Sequence, residues 1–199
     1  MKTQLHISIK AVLTAILLIG ILALNANANT MFSPGTINKV PIFTQSGIKP
    51  PKMDIFTAAL FGDLKAIDQH IKAGTNLNAK DDYGSTPLII ASTFGKTDVA
   101  KALINGGADL NITNNDGGTA LHSAAFLCRT EIVEALIENG ADKSIRNIYG
   151  STARESVMSS WDMVKPIYDQ FSKDLGPLGL KLDYDHIEKT RPVIAEMLK

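Results

Sequence analysis

The chain is poor in cysteine, with only Cys128 among its 199 residues. No internal disulfide can form, which excludes a stapled scaffold and leaves packing to hold the fold. Charge of either sign is not in excess: 20 Lys plus Arg stand against 20 Asp plus Glu. Without a basic surplus there is no electrostatic footprint for DNA, RNA or anionic lipid. There is no phosphate-binding loop and no dinucleotide fingerprint. Beyond residue 28 the histidines are His70, His122 and His186, which lie far apart and at no metal-ligand spacing. No cofactor and no metal is expected.

Apolar residues make up 45% of the chain and charged residues 20%, the balance of an ordinary globular domain. The first 28 residues read separately. Lys2, His6 and Lys10 give a basic start without an acid, and residues 11–24 form a mostly apolar run of 14. A membrane-crossing helix needs about 20, so this run is short for an anchor. Ala26-Asn27-Ala28 then offers small residues at the positions a signal peptidase reads. The layout is that of a secretory signal peptide, with no cysteine at the cleavage point to carry a lipid. Its removal takes away Lys2 and Lys10 and leaves 18 basic against 20 acidic residues, a net charge of −2. Residues 29–52, with Pro34, Gly35, Pro41, Gly47, Pro50 and Pro51, read as an extended leader.

From about Met53 the sequence repeats. Ser85-Thr86-Pro87-Leu88-Ile89 returns as Gly118-Thr119-Ala120-Leu121-His122, an offset of 33. Gly106-Gly107-Ala108-Asp109 returns 33 later as Asn139-Gly140-Ala141-Asp142, and Gly62 and Gly95 share the same offset. A single period in a single phase decides the architecture. In the unit 82–114, Thr86 is an N-cap and Pro87 suits the first helical turn. Leu88 to Ala91 continue a short helix that ends near Gly95. Thr97 is expected to cap a second helix bearing Val99, Ala102, Leu103 and Ile104, which Gly106-Gly107 stops. A hairpin turn around residues 114–117 follows. One unit cannot bury its own apolar faces, and a stack of units can. Four units are expected, at about 53–81, 82–114, 115–147 and 148–171, the last eroded, with Trp161 where Gly62 and Gly95 stood. Residues 172–199 are expected to cap the open end. A break at Gly176-Pro177-Leu178-Gly179 and a short closing helix from Thr190-Arg191-Pro192 through Leu198 would do so.

These units resemble ankyrin repeats. The Thr-Pro-Leu-His pattern stands as Thr86-Pro87-Leu88-Ile89 and Thr119-Ala120-Leu121-His122, and the Gly-Ala-Asp pattern recurs at Gly107 and Gly140. Ile89 in place of His and Cys128 in place of a helix-ending Gly depart from the pattern. With the signal segment, the chain is similar to exported ankyrin proteins of Gram-negative bacteria. The resemblance implies an all-α ankyrin solenoid with a helical C-terminal cap, and a hydrogen-bonding role for His122 between repeats.

Chemistry has little to stand on. A Cys128–His122 pair would still lack an oriented base and an oxyanion site. Asp81, Asp82, Asp109, Asp116 and Asp142 recur on turns and not within a 12-residue calcium loop, so they read as turn and capping residues. A site using Asp183, Asp185 and His186 would sit in a tail too short to enclose a pocket. The chain is therefore expected not to be an enzyme.

The resemblance implies partner binding on a concave surface of hairpin tips and first helices. Carried onto this chain, the binding residues are Phe61, Tyr83, Thr93, Phe94, Asp116, Phe126, Leu127 and Tyr149. Phe61, Phe94 and Leu127 recur at one repeat position, which would align them as an exposed apolar stripe unless they fold under as core. The expected function is a monomeric scaffold in the periplasm that binds one protein partner. No nucleic acid is expected, and no stable membrane insertion after signal cleavage. An immunity or accessory role toward a toxin or envelope enzyme, and support of oxidative-stress defence beside a catalase, stand as alternatives. Release outside the cell as an effector is a further route, and a purely structural spacer would have no partner.

Overall fold

A computed structural model describes residues 48–199. The expected signal segment 1–28 and most of the leader, 29–47, lie outside the described residues. Three helix pairs come first: α1 (Ile55–Phe61) with α2 (Leu64–Lys72), α3 (Pro87–Thr93) with α4 (Thr97–Asn105), and α5 (Ala120–Phe126) with α6 (Thr130–Glu138). The C-terminal part holds α7 (Ala153–Ser156), α8 (Trp161–Leu175), a 3-10 turn (Gly176–Leu178) and α9 (Tyr184–Met197). Among the described residues there is no strand.

Capping explains the first helices. Asp54, Thr86, Thr119 and Thr152 stand in extended conformation, and each side chain accepts the backbone N–H three residues on. The second helices are less uniformly capped. Asp63 caps α2, but α4 begins at Thr97 itself, and its N-cap Lys96 makes no side-chain bond. Thr97 is thus the first helical residue and not the cap that its type suggested. First helices pack on first helices, α1 on α3 on α5 on α7, and second on second, α2 on α4 on α6. Their buried faces form one continuous core that includes Ile67, Leu88, Leu103, Leu121, Ile132 and Leu136.

Backbone ladders tie the units at the same interval. Asn115 N–H donates to the Tyr83 carbonyl (3.0 Å) and Ile148 N–H to the Asp116 carbonyl (2.9 Å). Asp109 N–H reaches Asn78 Oδ1 (2.8 Å), and Asp142 N–H reaches Asn111 Oδ1 (2.9 Å). Each hairpin tip is closed by one side-chain oxygen. Asp81 holds Tyr83 and Ser85, Asn114 holds Asp116 and Gly118, and Asn147 holds Tyr149 and Ser151.

The fourth unit leaves the pattern at one residue. Gly62 and Gly95 end their first helices at φ 78° and 64°, the left-handed turn that folds the second helix back. Cys128 makes the same turn at φ 53°, although it carries a Cβ. A Cβ at Gly62 would press on the Lys96 stem at 3.0 Å, and one at Gly95 on Arg129 at 2.9 Å. At Cys128 the thiol instead occupies that space and donates to the Ile187 carbonyl of α9 at 3.6 Å. At the next equivalent position Trp161 makes no such turn and opens α8. The helix runs 15 residues, straight through the boundary expected at 171. α9 packs against α5, α6 and α7, so it stands beside α6, where a second helix of repeat four would be. It begins at Tyr184, capped by Asp183, with Pro192 inside it; the closing helix expected from Thr190 is only its last part. Pro192 removes one backbone donor, and the Glu188 carbonyl it would have served lies on an exposed residue that water can reach.

Candidate protein-binding face

The ends of the first helices form a row of equivalent positions: Leu60-Phe61, Thr93-Phe94 and Phe126-Leu127. Along that row exposure falls from one end to the other. Phe61 is 66% exposed, Phe94 is half-buried and Leu127 is only 2% exposed. The stripe expected from Phe61, Phe94 and Leu127 is therefore not one open strip. Leu127 belongs to the core, and Phe126 is covered by the chain itself. The Tyr168 ring of α8 stacks on Phe126 with centroids 4.6 Å apart, and Phe171 lies 5.8 Å away. The Tyr168 hydroxyl donates to the Phe126 carbonyl at 2.6 Å. What remains open is the row in repeats one and two, where Phe61 and Leu64 (39% exposed) line a shallow groove with Gly95, Lys96 and Val99. Thr93 stands on this row, but its hydroxyl is turned inward to the Ile89 carbonyl at 2.9 Å.

The hairpin tips place Tyr83, Asp116 and Tyr149 at matching positions, all half-buried. Burial, then Asp81 and Asp82, raises the Tyr83 phenol above its ordinary value. Burial and the nearby Asp116 push Tyr149 up to about 12, and burial raises Asp116 itself. These tyrosines act as neutral amphipathic groups at any ordinary pH, suited to apolar contact with one polar tip. Ile148 projects furthest at 63% exposed. Leu64 was not singled out from the sequence. An apolar residue directly after the Asp63 cap, on the outer first turn of α2, was its signal.

The remaining candidates take structural places. His122 Nδ1 lies 2.9 Å from Thr119 Oγ1 and accepts the Thr119 N–H at 3.2 Å, while Nε2 reaches the Ser151 carbonyl at 3.1 Å. His122 thus bonds across to the fourth unit. His70, on the second helix of the first unit, bonds within that unit, to Thr75 Oγ1 (3.0 Å) and the Met53 carbonyl (2.9 Å). Cys128 is buried, which pushes its thiol up to about 11, against the partial pull of Arg191 and Arg129. A thiol held in that range is not a nucleophile at neutral pH. Asp109 and Asp142 accept backbone N–H groups two residues on. Among the described residues, no helix is long and apolar enough to cross a membrane.

A helical stack with a 33-residue step, laddered hairpin tips and an inter-repeat histidine, His122, defines an ankyrin solenoid. The family model for ankyrin repeats (three copies) matches residues 55–147, which are the three regular units described above. Comparison with curated proteins gives no match. Ankyrin repeats are generally protein–protein interaction modules and typically non-enzymatic.

Proposed function

We propose that this chain is a periplasmic scaffold that binds one protein partner through the open row of repeats one and two, without catalysis. The observation that carries the reading is the exposure of Phe61 beside Leu64, with half-buried Phe94 at the equivalent position of repeat two, whereas their counterpart in repeat three, Leu127, is buried in the core. A large aromatic left in water beside apolar neighbours suits an interface anchor. Tyr83, Asp116 and Tyr149 on the tips supply the polar rim, with exposed Ile148 as an apolar contact among them. The export half of the proposal rests on residues 1–28, whose basic start, 14-residue apolar run and Ala26-Asn27-Ala28 site have the form of a signal peptide.

The test is a pull-down from envelope extract with the C-terminally tagged chain, beside a Phe61→Ala/Phe94→Ala variant of unchanged helicity. One partner captured by the parent and lost by the variant is the expected result. Capture that survives the variant would place the surface elsewhere, and no specific capture would favour a spacer. Fractionation with N-terminal sequencing of the tagged protein tests the location, with a mature start at Asn29 expected.

A further inference from the structure

The fourth unit departs from the repeat where the other units are most regular. Thr86-Pro87-Leu88 and Thr119-Ala120-Leu121 return as Thr152-Ala153-Arg154. A guanidinium group thus stands at the position of two core leucines, Leu88 and Leu121, each only 1% exposed. Arg154 lines a cleft of about 370 Å³ between α7, the start of α8 and α9, whose walls include Met158, Trp161, Glu188 and Arg191. That volume lies at the small end of the range for ligand sites, about 300–1,000 Å³.

Both arginines of the cleft keep N–H groups in reserve. Arg191 is buried, and its guanidinium meets two acceptors, the Tyr168 hydroxyl from Nη1 and the Ser159 carbonyl from Nη2. Its Nε has no acceptor among the described residues. Arg154 donates from Nε to the Ala195 carbonyl at 3.0 Å, which fixes its stem against α9. No described residue accepts from its two terminal nitrogens. Among the described residues, no carboxylate pairs with either arginine. A buried cation calls for an anion beside it, and the chain supplies none. Around the two cations the walls are apolar: Met158 is 57% exposed, and Trp161 is half-buried.

We propose that this cleft binds a carboxylate carried on an apolar group. The terminal nitrogens of Arg154 hold the carboxylate within the field of Arg191, and Met158 and Trp161 cover the apolar part. Glu188 and Glu196 also line the cleft, both exposed, and Glu196 is held by Lys199. Their charges oppose a dianion such as phosphate, whereas a single planar carboxylate matches the guanidinium fork. The ligand is a small organic acid or the free end of a peptide chain, which share this chemistry. The site lies in the fourth unit, away from Phe61 and Phe94, and does not depend on the protein-binding reading above.

Trp161 is the only tryptophan and lines the cleft, so its fluorescence reports on the site directly. The full chain is titrated with N-acetyl-leucine, with its uncharged amide, and with an acetylated Gly-Gly-Gly-Leu peptide that has a free carboxyl end. A saturable change with at least one of the two acids and none with the amide is expected. A response to both acids assigns the cleft to chain ends, and a response to N-acetyl-leucine alone assigns it to small acids. Arg154→Leu restores the residue that the repeats carry, so it should keep the urea midpoint and weaken binding by about tenfold or more, the loss of a charge-assisted pair. Met158→Ala, at an exposed position, should weaken binding by about fivefold through lost apolar contact, and carries the test if Arg154→Leu fails to fold. An equal response to the amide would overturn the proposal. So would silence toward both acids, full affinity in a folded Arg154→Leu chain, or displacement by inorganic phosphate at the same concentration as by N-acetyl-leucine.

Discussion

The guanidinium of Arg191 donates from Nη1 to the hydroxyl of Tyr168 at 2.8 Å, and that hydroxyl in turn donates a hydrogen bond to the Phe126 carbonyl at 2.6 Å. Arg191 is 3% exposed, and its other terminal nitrogen is held by the Ser159 carbonyl at 2.9 Å. One buried relay thus ties α9 to α8 and α8 to the third repeat. Tyr168→Phe keeps the ring stack but leaves a buried cation and a carbonyl each short of a partner. A cost of about 1–3 kcal/mol is expected. Trp161, the only tryptophan, lies 5.5 Å from the Tyr168 ring and reports on this region alone. In urea, the Trp161 fluorescence transition of the variant should move to lower denaturant ahead of the helical signal. Coincident transitions at the parental midpoint would show that the relay contributes nothing.

Cys128 gives a second expectation, because two of its properties oppose each other. Its backbone sits at φ 53°, which costs a residue with a Cβ about 1–2 kcal/mol relative to glycine. Its sulfur fills buried space against α9, and loss of that packing also costs about 1 kcal/mol. Cys128→Ala keeps the strain and loses the sulfur, so it should destabilise. Cys128→Gly loses more atoms yet relieves the strain, so it should cost less than Ala. Chemical denaturation of both variants gives the order; Gly below Ala in stability would refute the strain account. Activity in partner capture should be unchanged in either.

Much of this fold is legible in the sequence because a repeat states its register several times. Thr86, Thr119 and Thr152 lie 33 apart, and each caps a helix, as their type and spacing require. What could not be read is what breaks the register. Phe61, Phe94 and Leu127 stand at one repeat position in the sequence, yet the first is exposed, the second half-buried and the third buried, and α8, which covers the neighbouring Phe126, takes its direction from a turn not made at Trp161. Arg191 and Tyr168 lie in the non-repeating part, where no period marks them. Pro192, expected in the opening turn of the closing helix, sits inside a longer one, as Pro166 does in α8, because lateral packing of Ile167, Tyr168 and Ile194 outweighs one missing backbone bond. The candidate face was legible by position and not by accessibility, which tertiary packing alone decides.

Ser92 is a defect that the repeat itself identifies. Its side chain is fully buried, and its hydroxyl has no hydrogen-bond partner among the described residues. The equivalent positions in the neighbouring units are Ala59 and Ala125, both buried without a polar atom. Ser92→Ala removes an unsatisfied group at no loss of packing and improves helix propensity. A gain of about 1 kcal/mol is expected. The check is the urea midpoint of the helical signal at unchanged slope. An unchanged or lower midpoint would mean that the hydroxyl is satisfied in solution.

His122 should make the stack sensitive to mild acid, with a sign fixed by its bonds. Nδ1 accepts the Thr119 N–H, so the neutral ring carries its proton on Nε2 and donates it to the Ser151 carbonyl. A second proton on Nδ1 would face a donor. Burial, opposed in part by the Ser151 carbonyl, holds the imidazole below its ordinary value of 6.5. The folded state therefore binds fewer protons than the unfolded chain in this range. The His122 contribution is full above about pH 6.5 and is lost as pH falls toward the depressed folded value. In His122→Gln, whose amide can make a donor and an acceptor bond without titrating, the urea midpoint should be lower at pH 7.5 but decline less between about pH 7 and 5.5 than in the parent. Parallel curves for the two proteins would show that His122 does not titrate with unfolding, and the acid sensitivity would then belong to another group.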